Sequence, residues 1–156
     1  MNMKVKKNVG IAIGSDRSGF VYKKKLICYL KAQGYHVEDA GTFQEEVCDY
    51  PVFAQKVGEL VSSQLSDFGI LICGSGEGMA IAANKVPNVR CGIAYSDEVA
   101  ALLRQHNDAN IVAFGANFMS YEDVKRRVDI FLSTKFLGLY HVDRIAMINK
   151  MEKRSR

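Results

Sequence analysis

This sequence predicts an α/β fold with a parallel sheet covered by helices on both faces. Three observations predict it. Short apolar runs of strand length alternate with helix-periodic segments along the whole chain. The runs at 68–72 and 110–114 are almost continuously apolar, as strands buried on both faces are. No internal repeat, linker or low-complexity stretch interrupts the alternation.

The elements follow in order. Residues 9–15 alternate apolar and small side chains and form a first strand. Over 19–33, Phe20, Leu26, Ile27 and Leu30 recur at helical spacing, and Gly34 ends that helix. Residues 35–39 make a short second strand, and 41–50 the loop after it. Pro51 suits the first turn of a helix reaching about 65. The third strand, 68–72, leads into a helix over 76–86 that stops before Pro87. A fourth strand over 90–95, a helix over 97–105 and a fifth strand over 110–114 come next. Ser120-Tyr121-Glu122-Asp123 reads as a capping box opening a helix to 132. A last helix covers about 141–153.

At 156 residues the chain fits one domain, 1–156, with a single substantial core. Hydrophobic content of 48% and charge of 24% are ordinary for a globular protein. No apolar run approaches the roughly 18 to 20 residues that span a membrane. Residues 1–7 are basic and precede a short strand broken by Gly14 and Asp16, not a secretory apolar core, so a cytoplasmic protein is expected. Cys28, Cys48, Cys73 and Cys91 are far apart, without the clustering that a zinc site or a disulfide scaffold needs. Cys28 and Cys91, in apolar surroundings, read as small core residues. The net charge of +4 is mild. Its basic runs, Lys23-Lys24-Lys25, Arg126-Arg127 and 150–156, lack interleaved aromatics, so they read as solvated faces and a terminus, not a nucleic-acid surface.

The chemistry concentrates in Ile70-Leu71-Ile72-Cys73-Gly74-Ser75-Gly76-Glu77-Gly78-Met79. A buried strand ends at a cysteine, and alternating glycines lead into a helix. That arrangement presents backbone N–H groups to an anion. N–H dipoles beside a thiol favour the thiolate, the form that acts as base or nucleophile. The loop is not a P-loop, because no Gly-Lys-Ser/Thr follows. It also departs from a dinucleotide fingerprint, since Met79 stands where the third glycine would be.

In open parallel sheets, ligands bind beyond the C-terminal ends of the strands. Ser15-Asp16-Arg17, Asp49-Tyr50, the 73–79 loop and Ser96-Asp97 are therefore expected to converge. Asp16 is also placed to cap the following helix. The polar run over 104–110 contains His106, and imidazole passes protons at neutral pH. His141 and Arg144, three apart, share one helical face suited to an anionic group. His36, on a short strand without polar neighbours, reads as structural.

These residues resemble the family of ribose-5-phosphate isomerase type B, which includes galactose-6-phosphate isomerase subunits. The likeness runs through Gly14-Ser15-Asp16-Arg17-Ser18-Gly19-Phe20, Gly41-Thr42 with Asp49-Tyr50-Pro51, and Cys73-Gly74-Ser75-Gly76-Glu77-Gly78. It continues through Ala82-Ala83-Asn84-Lys85, Arg104-Gln105-His106-Asn107-Asp108, and His141 with Arg144. The resemblance implies a Rossmann-like three-layer α/β/α sandwich with a five-stranded parallel sheet. It implies a homodimer or dimer of dimers, with the helix from about 139 packing on or near a neighbouring subunit. It also implies that no metal or nicotinamide cofactor is used. The implied reaction is the interconversion of ribose 5-phosphate and ribulose 5-phosphate through an enediolate, in the non-oxidative pentose phosphate pathway.

By the same resemblance Cys73 is the base moving a proton between C2 and C1. Ser75 and the amides of Gly74, Gly76, Glu77, Gly78 and Met79 hold the enediolate oxygen. His106 opens the sugar ring, with Asp16 as its partner. Asn107 and Tyr50 position hydroxyls, and His141 and Arg144 face the phosphate from a neighbouring subunit. Two departures stand out. Many members carry histidine where this chain has Arg17, and Gly-Gly-Arg-His where it has Gly138-Leu139-Tyr140-His141. Arg17 is therefore expected to restore the positive charge lost at Tyr140. Some members lack the cysteine and use a glutamate at the position of Met79, and Glu77 is a rival base here. A hexose 6-phosphate isomerase and a non-catalytic nucleotide or sugar-phosphate binding module are the competing functions, Asp97 being able in the latter to receive a ribose hydroxyl.

Overall fold

The computed structural model describes residues 8–152. Five parallel strands form one sheet in the order β2-β1-β3-β5-β4. They are β1 (Gly10–Ser15), β2 (His36–Asp39), β3 (Phe68–Cys73), β4 (Cys91–Ile93) and β5 (Ile111–Gly115). Six helices connect and follow them: α1 (Phe20–Ala32), α2 (Tyr50–Ser62), α3 (Glu77–Ala83), α4 (Asp97–Gln105), α5 (Tyr121–Ser133) and α6 (His141–Glu152). The expected residue 153 of the last helix and the basic segments 1–7 and 153–156 lie outside the described residues.

The period-two alternation of the strands divides the core into two halves. Ile11, Ile13, Ile70, Ile72, Val112 and Phe114 point to one face, under α1, α4 and α5. Ala12, Leu71, Cys73, Ile111 and Ala113 point to the other, under α2 and α3. Cys73 thus leaves its strand on the α2–α3 side.

Element ends follow local chemistry. Gly34 takes φ +90° just after α1, as expected of a C-terminal glycine. Helix α2 ends before the expected 65, because Ser63 caps it and Gln64 turns to φ +63°. Helix α3 is shorter than 76–86. The Asn84 side chain accepts from Cys91 N–H at 2.8 Å and donates to its carbonyl at 2.9 Å, tying the chain to the start of β4. Ser120 caps α5 by accepting from Asp123 N–H at 3.1 Å. The reciprocal half of the box is absent, because Asp123 turns instead to Arg126, 2.7 Å away.

Three expectations about single residues change. Lys23 is not on a solvated face: it is 1% exposed and pairs with Asp39 at 2.6 Å. Cys28 is exposed, because α1 turns Lys23, Leu26 and Leu30 inward and leaves Cys28 off that stripe. Cys91 is only partly buried by exposed area, yet its thiol is pushed up to about 12 by desolvation.

Candidate active site

Strand order reverses between β1 and β3, which makes the C-terminal ends of these two strands the switch point of the sheet. Ser15 pairs with Ile72, and Asp16 N–H continues the ladder to the Ile72 carbonyl at 3.3 Å. Asp16 and Cys73 therefore leave adjacent strands side by side. Asp16 Oδ1 accepts from Gly19 N–H at 3.2 Å, which makes it a cap for the turn into α1 and leaves its second oxygen for a ligand. Arg17 follows, exposed, and its guanidinium has no hydrogen bond or ion pair among the described residues.

Cys73 is 4% exposed, and its Sγ accepts the N–H of Gly76 at 3.1 Å. That bond closes the glycine loop back on the sulfur and favours negative charge there. It requires glycine at 76. The residue holds φ +88°, and a Cβ would lie 3.0 Å from the carbonyl carbon of Phe114. Glu77 N–H donates to Ser75 Oγ at 3.2 Å. The amides of Gly78 and Met79, in the first turn of α3, have no acceptor among the described residues, as the first N–H groups of a helix do not. The Met79 side chain is fully buried, so only its backbone is available to a ligand.

Tyr50, at the start of α2, lays its ring against Gly78, where a Cβ would come 2.6 Å from Cζ. Asp16, Arg17, Tyr50 and the 73–79 loop thus meet at one edge, beside a cleft of about 670 Å³ lined by Ser75, Glu77, Tyr95 and Phe118. The structure adds Asn117 and Ser18, both packed beside Gly74. Asn117 N–H also donates to the Gly74 carbonyl at 3.0 Å. Ser18 lies within the Gly14–Phe20 motif, and no local pattern in the sequence singles out Asn117.

Ser96-Asp97 does not join them. Strand β4 is outermost in the sheet, and Asp97 is committed to Arg126 at 2.7 Å and Arg127 at 3.2 Å. Those guanidiniums hold its carboxyl below the usual range. Asp97 is thus an ion-pair partner, not a free ribose acceptor.

His106 and Asn107 lie at the opposite edge of the sheet. Helix α4 starts after the C-terminal end of β4 and runs back, so its cap His106 falls before β5. The Asn107 carbonyl accepts from Arg90 Nε at 3.1 Å, just before β4 begins. From Gly69, level with Ile111 at that edge, to Cys73 is roughly 13 Å of strand rise. Within one chain, His106 does not reach Asp16 or Cys73, and the expected partnership of His106 with Asp16 does not form.

What His106 does meet is α6. Its ring stacks on His141 with centroids 4.4 Å apart and planes 16° from parallel. His141 is 4% exposed, and burial, His106 and Arg144 together lower its pKa. Arg144 lies above the Tyr140 ring, 4.9 Å from its centroid. A cleft of about 710 Å³ under α6 is lined in part by Asn107, Arg90 and Ile148. Among the described residues, no group of three or more His, Cys, Asp or Glu is placed to hold a metal ion. No helix among the described residues is long and apolar enough to cross a membrane.

This fold is shared with known proteins. The model of the Ribose/Galactose Isomerase family matches residues 11–148. The chain belongs to that family. It is 40% identical over 144 residues to ribose-5-phosphate isomerase B of Escherichia coli, covering 92% of this chain and 97% of that one. The Clostridium thermocellum ribose-5-phosphate isomerase B structure superposes with a TM-score of 0.94 at 41% identity, covering 95% and 100% of the two chains. The Mycoplasma genitalium ribose-5-phosphate isomerase B with bound ribulose-5-phosphate superposes at 0.91 with 38% identity, covering 94% and 98%. Family membership accounts for the α/β/α sandwich and its glycine loop at the switch point.

Proposed function

We propose that this protein is an aldose–ketose isomerase interconverting ribose 5-phosphate and ribulose 5-phosphate in the cytoplasm, in the non-oxidative pentose phosphate pathway. The observation carrying this reading is the buried Cys73 thiol with the Gly76 N–H donated to its sulfur. Relatives named ribose-5-phosphate isomerase B, one holding ribulose-5-phosphate, support the pentose substrate.

In the open-chain aldose, the Cys73 thiolate takes the C2 proton. The C2–H electrons form the C1–C2 double bond, and the carbonyl pair moves to the C1 oxygen, giving the enediolate. The C2 hydroxyl proton passes to the C1 oxygen; as the freed O2 pair forms the C2 carbonyl, the C1–C2 double-bond pair takes the proton back from Cys73 at C1. Ser75 and the amides of Gly74, Gly78 and Met79 take up the developing oxyanion, while the Gly76 N–H stays on the sulfur and the Glu77 N–H orients Ser75. Losing one such donor typically costs about 2.7 to 4 kcal/mol of transition-state stabilisation. Glu77, exposed and one turn from the sulfur, is the lesser candidate for the base. Tyr50 positions a sugar hydroxyl, and Arg17 binds the phosphate.

His106 opens the furanose, Asn107 holds a hydroxyl, and His141 with Arg144 faces the phosphate. Because this group sits at the edge opposite Cys73, the reading requires a second copy to supply it. A homodimer or dimer of dimers does so by symmetry. The exposed Val142, Met147 and Ile148 on α6 and the exposed Leu139 before it suit a helix that packs on the neighbouring subunit.

The test is conversion of ribose 5-phosphate by purified protein without added metal, beside Cys73→Ala. Turnover by the wild type and its near-complete loss in the variant are expected. Turnover of galactose or allose 6-phosphate alone would move the substrate to the hexoses. Thermal stabilisation by a nucleotide, with no turnover of either sugar class, would replace the isomerase by a binding module.

A further inference from the structure

His106, His141, Tyr140 and Arg144 form one continuous column. His106 stacks on His141 at 4.4 Å, His141 meets Tyr140 at 4.3 Å, and Arg144 lies 4.9 Å over the Tyr140 ring. The inner member, His141, is buried, whereas Tyr140 is 61% exposed. A long basic side chain on an exposed helix face normally samples many rotamers. Arg144 has no hydrogen bond or ion pair among the described residues, and its guanidinium lies over the Tyr140 ring.

The backbone directs Tyr140 to that place. Gly138 and Leu139 take φ +68° and +54°, and His141 N–H closes the turn onto the Gly138 carbonyl at 3.1 Å. A leucine at positive φ is uncommon and disfavoured. The chain accepts that conformation immediately before Tyr140, and the turn lays the ring between His141 and Arg144.

We infer that Tyr140 is a positioning residue: its ring, braced on His141, holds the Arg144 guanidinium in place to receive a phosphate group. This rests on the reading of Arg144 as a phosphate ligand, and it assigns Tyr140 a role through Arg144, not on the substrate itself. Burial, His106 and Arg144 all lower the His141 pKa, which favours the neutral ring that braces Tyr140.

The experiment is a double-mutant cycle. Tyr140→Leu and Tyr140→Phe are made in the wild type and in Arg144→Met. KM and kcat for ribose 5-phosphate, and Kd for inorganic phosphate by calorimetry, are read for each. Tyr140→Leu raises KM and phosphate Kd about two- to fivefold, the span of an exposed cation–π contact. Meanwhile kcat stays within about twofold, the pattern of lost uniform binding. Tyr140→Phe keeps the ring and restores wild-type values. In Arg144→Met, Tyr140→Leu changes neither constant further. An equal rise in both backgrounds, or no rise in the wild type, overturns the inference. The phosphate titration needs no turnover. Coupling seen there in a protein inactive on ribose 5-phosphate would uphold the Tyr140 role and reject the pentose substrate, and turnover without coupling would do the reverse.

Discussion

The N–H of Gly76 donates at 3.1 Å to the Sγ of Cys73, three residues earlier in the chain. The bond exists because the loop reverses at Gly76 in a left-handed conformation. It joins the glycine loop and the sulfur into one unit, so that the proposed base and the proposed oxyanion donors keep a fixed separation.

Replacing that sulfur by a hydroxyl keeps the shape and removes an accessible base. Cys73→Ser is expected to lower kcat by about 10²- to 10⁴-fold, the range for a lost general base. KM should change little. Steady-state kinetics on ribose 5-phosphate check it, and a variant retaining a tenth of wild-type kcat would point to Glu77.

Arg17 is the exposed, unpaired cation nearest in sequence to Asp16. Arg17→Ala is expected to raise KM roughly tenfold to a hundredfold, the span of one charge-assisted hydrogen bond. Its kcat should be much less affected. An unchanged KM would remove Arg17 from the phosphate site.

The Lys23–Asp39 pair secures the loop leaving β2, since Asp39 Oδ1 also accepts from Gly41 N–H at 3.0 Å. Its two ends differ in burial, Lys23 being 1% and Asp39 35% exposed. Asp39→Asn strands a buried ammonium and is expected to cost about 3 kcal/mol. Lys23→Met leaves a solvated carboxylate and should cost less, about 1 to 2 kcal/mol. Chemical denaturation of both variants gives the order, and a reversal would contradict the burial argument.

His141 carries a lowered pKa in the folded chain, chiefly through burial. The unfolded chain then binds more protons than the folded one below its own histidine pKa, about 6.5. Stability from this group is complete above that pH and falls as pH drops through the folded value. Melting temperatures from pH 7.5 to 5 should therefore decline less steeply in His141→Gln than in the wild type. Parallel profiles would refute the assignment.

Much of the site at the C-terminal edge was legible because it is local: a strand end, a cysteine and spaced glycines are contiguous. His106 does not reach Asp16 within one chain, because α4 carries it back to the other edge. That return follows from the strand–helix alternation and could have been read from it. Lys23 was also readable in part, standing three before Leu26 and seven before Leu30 on the buried stripe of α1. Its partner Asp39 comes from another element and leaves no local mark. Asn117 reaches Gly74 only through the packing of β3 against β5, so nothing in its own neighbourhood announces it, whereas Ser18 stands within the motif around Asp16.

In the proposed isomerase, Cys73 of one copy works with His106 of another. Cys73→Ala and His106→Gln, each inactive alone, should be mixed under conditions that exchange subunits, with exchange confirmed by mass spectrometry. Random pairing restores one intact site in each mixed dimer, so activity should return to about a quarter of the wild-type level. Mixed dimers without recovered activity would contradict a site shared between copies.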